Sequence, residues 1–165
     1  MQVQEAIIKR RSIREYSQKE ISPEDLIKIV DAARLAASAR NEQPGEFIVV
    51  TDKSKKSEIA GITAPNGSFI REAAAVIVVF CREGKYYLED GCAATENILL
   101  RATDLGLGSC WVAGDKKPYC QAIAKLLKAP EEYRLVSLVS LGYPKNPPPE
   151  ISKRLLDEVL HWQSF

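Results

Sequence analysis

The sequence predicts an α+β fold: a central mixed β-sheet flanked by helices, with an extended C-terminal arm. Three observations carry this reading. Two helical segments precede the first strand, helices and strands alternate only loosely afterwards, and residues 74–80 form a continuous apolar run typical of a strand buried on both faces. With 165 residues the chain is long enough to bury about 70% of its unfolded surface, and residues 1–165 read as one domain. No internal repeat, low-complexity tract or shift in composition argues for a second.

Residues 2–10 predict a short helix with Val3, Ala6 and Ile7 on one face, ending in the basic turn Lys9-Arg10-Arg11-Ser12. Ser22-Pro23-Glu24-Asp25 supplies an N-cap, a proline at the first helical position and acids in the first turn; Leu26, Ile29, Val30, Ala33 and Ala37 continue at helical spacing. Pro44 and Gly45 forbid further helix, and residues 46–50 read as a buried strand. A weak helical pattern over 54–62 leads through turn residues 63–68 to the strand at 74–80. Leu88, Cys92, Ala93, Ile98, Leu99, Ala102 and Leu105 mark a long central helix over 87–105, closed by Gly106. A short strand broken by Gly108 over 107–112, a helix over 116–127 and a last core strand over 135–141 follow. Pro147, Pro148 and Pro149 make 145–150 an extended arm, and 151–162 reads as an amphipathic helix.

Composition narrows the function classes. Twenty-three Lys+Arg against 22 Asp+Glu leave a net charge of +1, which excludes a broad nucleic-acid-binding surface. The longest apolar run, residues 73–81, has nine residues, about half of a membrane span, and no signal-like segment precedes the first helix, so a cytoplasmic protein is expected. Cys81, Cys92, Cys110 and Cys120 form no CxxC pair and read as buried thiols; with His161 the lone histidine, no metal site is expected. His161 would also have to build any Ser-His-Asp triad on a terminal segment.

Two segments carry chemistry. Arg10, Arg11, Ser12 and Arg14 place three guanidinium groups and a hydroxyl within five residues, a cluster suited to gripping phosphate through charge-assisted hydrogen bonds or, equally, a solvated basic turn. Ser38-Ala39-Arg40-Asn41-Glu42-Gln43-Pro44 combines amide donors and acceptors with a stiffening proline, so it reads either as an edge-reader for a heteroaromatic ring or as an ordinary polar loop. The glycines of Leu105-Gly106-Leu107-Gly108-Ser109-Cys110 form no GxGxxG and follow a helix, so they read as a helix cap and a tight connection. Trp111 reads as packed in a core or a subunit contact.

Taken together, RRSIREY, SARNEQPGEF about 25 residues later, AAAVIVVF, DGCAATENILLRATDLGLGSCWVAG, LGYP and the terminal LHW resemble the nitroreductase family of flavin enzymes, over nearly the whole chain and in the expected order. The resemblance implies an α+β homodimer that holds FMN at each of two subunit interfaces, with residues 145–165 embracing the partner. It implies that Arg10, Ser12 and Arg14, with Arg11 fitting less well, hold the flavin phosphate and ribityl chain, and that Asn41 and Gln43 lie beside the pyrimidine edge. Ala113 and Gly114 match the stretch whose backbone approaches flavin N5, and Lys153 or Arg154 falls where a late basic residue completes the phosphate site.

Two departures stand out: Gly45 replaces a tryptophan that many members carry after the QP pair, and Ala113 replaces an acid found in several. The chain is also short for the family, without the insertions that cover the substrate pocket in larger members. The implied activity is hydride transfer from NADH or NADPH through the flavin to a nitroaromatic, quinone or similar small acceptor, with no catalytic side chain because the cofactor does the redox work. A flavin-binding homodimer without turnover, a flavin-dependent dehalogenase and a flavin-degrading enzyme are the alternatives on the same scaffold.

Overall fold

A computed structural model describes residues 1–148 and 150–165; Pro149, part of the expected arm, lies outside the described residues. The elements are α1 (Val3–Lys9), α2 (Pro23–Arg34), β1 (Gly45–Val50), α3 (Lys53–Ile62), β2 (Ala75–Arg82), α4 (Tyr87–Asp104), β3 (Gly108–Ala113), α5 (Cys120–Leu126) and β4 (Tyr133–Gly142). The caps legible in the sequence are made: Ser22 accepts from the Asp25 N–H, and Asp52 accepts from the Lys55 N–H. Helix α5 starts at Cys120, four residues later than expected, because Lys116 is in the left-handed region (φ 58) and Pro118 intervenes.

Four strands pair in the order β1-β2-β4-β3, and every ladder is antiparallel. This corrects the expected mixed sheet. Among the described residues, parallel pairing is confined to an isolated bridge between Ser12, in the segment after α1, and Ser109 of β3. Alternate residues of β2 face opposite layers. Ala75, Ile77, Val79 and Cys81 pack with Leu26, Ile29 and Ala33 of α2 and with Ala94, Ile98 and Ala102 of α4. On the other face, Val76, Val78 and Phe80 pack with Ile59 of α3 and Ile123 of α5. A strand covered on both faces has no polar side, which is why its sequence is an unbroken apolar run.

Strand β4 carries a bulge where the register shifts between Val79 and Phe80. Val136 packs on the α4 side of the sheet, and the next residue, Ser137, also reaches α4 through a 2.7 Å hydrogen bond with Thr95. Beside this bulge the Val136 carbonyl accepts from both the Gly114 and Asp115 N–H groups, at 3.0 and 3.2 Å. Chain and carbonyl approach closely there: a Cβ on Gly114 would lie 2.7 Å from Leu135 Cγ and 2.9 Å from the Val136 carbonyl.

Residues 12–17 run along the remaining edge of β3 and the end of β4. The Ile13 N–H donates to the Ser109 carbonyl at 2.9 Å, and the Ser17 N–H donates to the Tyr143 carbonyl at 2.9 Å. The buried Tyr16 hydroxyl lies 2.5 Å from the Ile13 carbonyl and 2.7 Å from Ser140 Oγ, so it ties the segment to the sheet from below. Gly108 begins β3 instead of breaking it: a Cβ there would sit 2.8 Å from that of Ile13.

The expected helix over 151–162 is not formed. That stretch makes a single 3₁₀ turn, Leu156–Glu158, and its apolar residues Leu155, Leu156 and Trp162 are exposed. A twelve-residue helix with nothing to pack against is marginal in water, which accounts for the difference.

Three substitutions test these contacts. Tyr16→Phe, which deletes a buried hydroxyl that bonds two partners, is expected to cost about 1–3 kcal/mol, read as a lower urea midpoint at unchanged slope. Gly114→Ala should cost about 1–3 kcal/mol through overpacking, whereas Gly61→Ala, whose Cβ would meet nothing within 4 Å, should be neutral or stabilising by the same measurement.

Candidate functional site

The basic cluster follows directly from the end of α1. Arg11 turns back onto that end and donates to the Ile8 and Arg10 carbonyls at 2.6 and 2.8 Å, covering helix C-terminal acceptors. Arg10 is half-buried, its Nε 3.9 Å from Glu96 of α4, and Arg14 is exposed with its guanidinium 5.7 Å from the centre of the Phe69 ring. Ser12, between them, sits at the bridge to Ser109. Burial pushes the Cys110 thiol above its ordinary range, against the opposing pull of the Arg14 charge, the Ser12 hydroxyl and the Arg10 charge. Of the four residues expected in the cluster, Arg11 turns back onto α1, whereas Arg10, Ser12 and Arg14 gather around one end of β3. The Ser109 hydroxyl there is buried and has no hydrogen-bond partner among the described residues. Two guanidinium groups, of which only Arg10 has a carboxylate nearby, at 3.9 Å, together with an exposed hydroxyl and an orphaned one, fit a phosphate.

At the other end of β3 the backbone alternation decides which donors are free to face outward. The Ser109 carbonyl points away from β4 toward Ile13, whereas the Gly114 N–H points inward to Val136; residues 109, 111 and 113 therefore present their N–H groups on the outer edge. Of the two residues expected to offer backbone to a ligand, Ala113 has the outward N–H and Gly114 is committed to the sheet. The Ala113 carbonyl accepts from the Tyr119 hydroxyl. Asp115, next in sequence, accepts from the Tyr87 hydroxyl at 2.6 Å, which pins the loop to the start of α4. That hydrogen bond and, secondarily, burial push the Tyr87 hydroxyl up to about 12.

The loop before β1 is strained and tightly held. Arg40, Asn41 and Gln43 adopt φ of 53, 58 and 48°, a conformation that costs non-glycine residues of order 1–3 kcal/mol each. Ser38 Oγ accepts from the Gln43 N–H at 3.0 Å, and Asp90 of α4 accepts from the Ala39 N–H at 2.9 Å. These bonds hold the backbone while the Asn41 and Gln43 side chains remain exposed, touching only through a long contact from Gln43 Nε2 to the Asn41 carbonyl, 3.4 Å. A cleft of about 130 Å³ opens beside the loop, lined by Ser38, Gln43, Pro44, Gly45, Phe47 and Asp90 among others. The Phe47 ring lies over Gly45, 3.1 Å from where its Cβ would be, so this chain fills with Phe47 the space that a large residue at 45 would need.

These parts do not all meet within one chain. Ser109, the bridge partner of Ser12, and Ala113 share β3, about 13 Å apart at strand spacing, but the Asn41–Gln43 loop leads into β1 at the opposite edge of the sheet. Among the described residues no hydrogen bond or ion pair joins Asn41 or Gln43 to Arg10, Ser12 or Arg14. Lys153 and Arg154 lie exposed on the C-terminal segment, where Arg154 binds the Glu158 carbonyl at 2.5 Å. Sequence reasoning missed the supports of the site: Tyr16, Ser109, Asp90 and the Tyr87–Asp115 pair. Of these, Tyr16 alone had a signal, as the last residue of RRSIREY; Asp90 looks like any acid in a first helical turn.

A family profile described as "Putative TM nitroreductase" matches residues 2–164. A protein of Archaeoglobus fulgidus named "Putative NADH dehydrogenase/NAD(P)H nitroreductase" is 44% identical over 150 residues, covering 85% of this chain and 84% of that one. Among solved structures, the FMN-dependent nitroreductase of Clostridium difficile superposes with a TM-score of 0.90 at 32% identity over 97% of this chain and 98% of that one. A "putative nitroreductase in complex with fmn" from Desulfovibrio desulfuricans gives 0.84 at 30% identity over 100% and 98%. From its second residue to its penultimate one, and in the fold those residues adopt, this chain belongs to the nitroreductase family.

Proposed function

We propose that the chain is an FMN-dependent NAD(P)H oxidoreductase that works as a homodimer with one flavin at each of two subunit interfaces. The observation that carries the proposal is the convergence of Arg10, Ser12, Arg14 and the orphaned Ser109 hydroxyl at one end of β3, with the outward Ala113 N–H at the other. Relatives named as flavin oxidoreductases and the FMN complex of a structural neighbour support it.

Bound there, FMN would supply the redox chemistry that links a reduced nicotinamide to a small acceptor such as a nitroaromatic or quinone. The residues of this chain bind and orient. Arg10 and Arg14 neutralise the phosphate, and Ser12 and Ser109 add hydroxyl contacts. The Ala113 N–H offers a main-chain donor to the ring, held in place by the Gly114–Val136 bond and by Tyr87–Asp115. Asn41 and Gln43, presented by a loop whose strain is already met in the fold, read the pyrimidine edge and stabilise negative charge there.

Because that loop lies at the other edge of the sheet, the amides and the phosphate grip come together from different subunits. The exposed apolar residues Val3, Ile7 and Ile8 of α1 and Leu155, Leu156 and Trp162 of the arm support a second copy as their cover, and docking of the arm brings Lys153 or Arg154 to the phosphate.

Protein mixed with FMN and freed of excess is expected to sediment as a dimer and to show flavin bands that bleach anaerobically with NADH or NADPH, the faster one naming the donor. A colourless protein refutes flavin binding; bound flavin that neither nicotinamide reduces refutes turnover. Arg10→Ala combined with Arg14→Ala should weaken FMN binding at least tenfold, about 1.4 kcal/mol, measured by flavin fluorescence quenching. Unchanged affinity would make the cluster a solvated turn.

A further inference from the structure

A second concave site lies at the end of the sheet opposite the Asn41–Gly45 loop, where β1 finishes and β2 begins. It is a cleft of about 520 Å³ between the segment after Tyr16, the first turn of α3 and residues 71–74. Four cations, Lys19, Lys53, Lys56 and Arg71, and two carboxylates, Glu20 and Glu72, line it, leaving two net positive charges. None of the four cations has a carboxylate within 4.0 Å among the described residues, although most other ion pairs of the molecule are made by neighbours on its surface.

Lys56 is the unusual member. It is 5% exposed, and its ammonium donates to the Ala73 and Ala74 carbonyls at 2.5 and 3.1 Å. An ammonium has three donors, so one remains, and a buried charge without a counter-charge is costly. Burial first, then the Lys53 charge, pull Lys56 below the usual lysine range; Asp52, Glu20 and Glu72 oppose this only partly. Lys19 stacks over the Tyr143 ring at 3.9 Å, which orders its stem without neutralising it. Asp52 already caps α3, so the helix end makes no call on an anion; the cations do.

We propose that this cleft is a second ligand site, distinct from the flavin site, for a phosphoryl dianion, either inorganic phosphate or the phosphate group of a small metabolite. The charge matches: two net positive charges meet two negative ones. Lys56 supplies a fixed donor at the floor, Lys53 and Arg71 close from the walls, and the Thr51 and Ser57 hydroxyls in the same lining reach the tetrahedral oxygens that a planar carboxylate lacks. Glu20 and Glu72 repel longer polyanions, which limits the site to a single phosphoryl group.

The test uses protein saturated with FMN, so that the Arg10–Arg14 grip is filled, and titrates inorganic phosphate, glycerol phosphate and succinate by calorimetry at constant ionic strength. Saturable binding of phosphate is expected, at least tenfold tighter than succinate. Glycerol phosphate binding tighter than inorganic phosphate assigns the site to a metabolite, and the reverse assigns it to the free ion. Lys56→Met and, as a variant of an exposed wall that leaves the buried position intact, Arg71→Gln should each weaken phosphate at least tenfold while flavin absorbance and FMN affinity stay unchanged. Arg10→Ala with Arg14→Ala should leave phosphate binding as it is, even if that variant holds no flavin. Absence of saturable binding, equal binding of succinate, or binding lost with Arg10 and Arg14 but kept in Arg71→Gln overturns the proposal.

Discussion

The outer edge of β3 is the constraint on which the rest of the structure depends. An edge strand exposes unpaired backbone groups, and here one end of that edge is closed by the parallel bridge from Ser12 and the Ile13–Ser109 hydrogen bond. Gly108 lets the incoming segment approach, and Tyr16 fastens it from within the sheet. The arginines therefore owe their position to main-chain pairing and a buried phenol, since the carboxylate nearest to them, Glu96, stands 3.9 Å away. A cluster fixed in this manner keeps its charge available for a ligand.

The bulge in β4 extends the same logic to the opposite end of the edge. Placing Val136 and Ser137 both toward α4 leaves one carbonyl to receive two successive N–H groups, which bends the chain after Ala113. A glycine is required at 114 by contact with that carbonyl. Fold and site share these atoms, so a packing change at 114 reaches the site without touching a ligand.

A single chain carries parts of a site without assembling all of them. The strained amide loop is at one edge of the sheet and the basic cluster at the other, while apolar residues on α1 and on the C-terminal segment face water. Such exposure is unfavourable in isolation; in the proposed homodimer a second copy would cover it, and dimerisation and ligand binding would then be aspects of one equilibrium.

The sequence alone determined the α+β class, the order of all nine regular elements, and the family, because buried strands, capped helices and the ordered motifs are local patterns. It also singled out Arg10, Ser12, Arg14, Asn41 and Gln43, which the structure places beside one end of β3 and in the loop before β1. The tertiary structure decided what depends on partners distant in the chain. It made the sheet antiparallel instead of mixed, since strand direction follows from which strands become neighbours. It turned the N–H groups of Ala113 and Gly114 in opposite directions, since outward and inward orientation follows from register with β4. It left residues 151–162 without a helix, since amphipathic spacing stabilises a helix only where a surface receives its apolar side. And it buried Lys56 beside two carbonyls with no counter-ion, a pairing between residues 17 and 18 positions apart that no local pattern encodes.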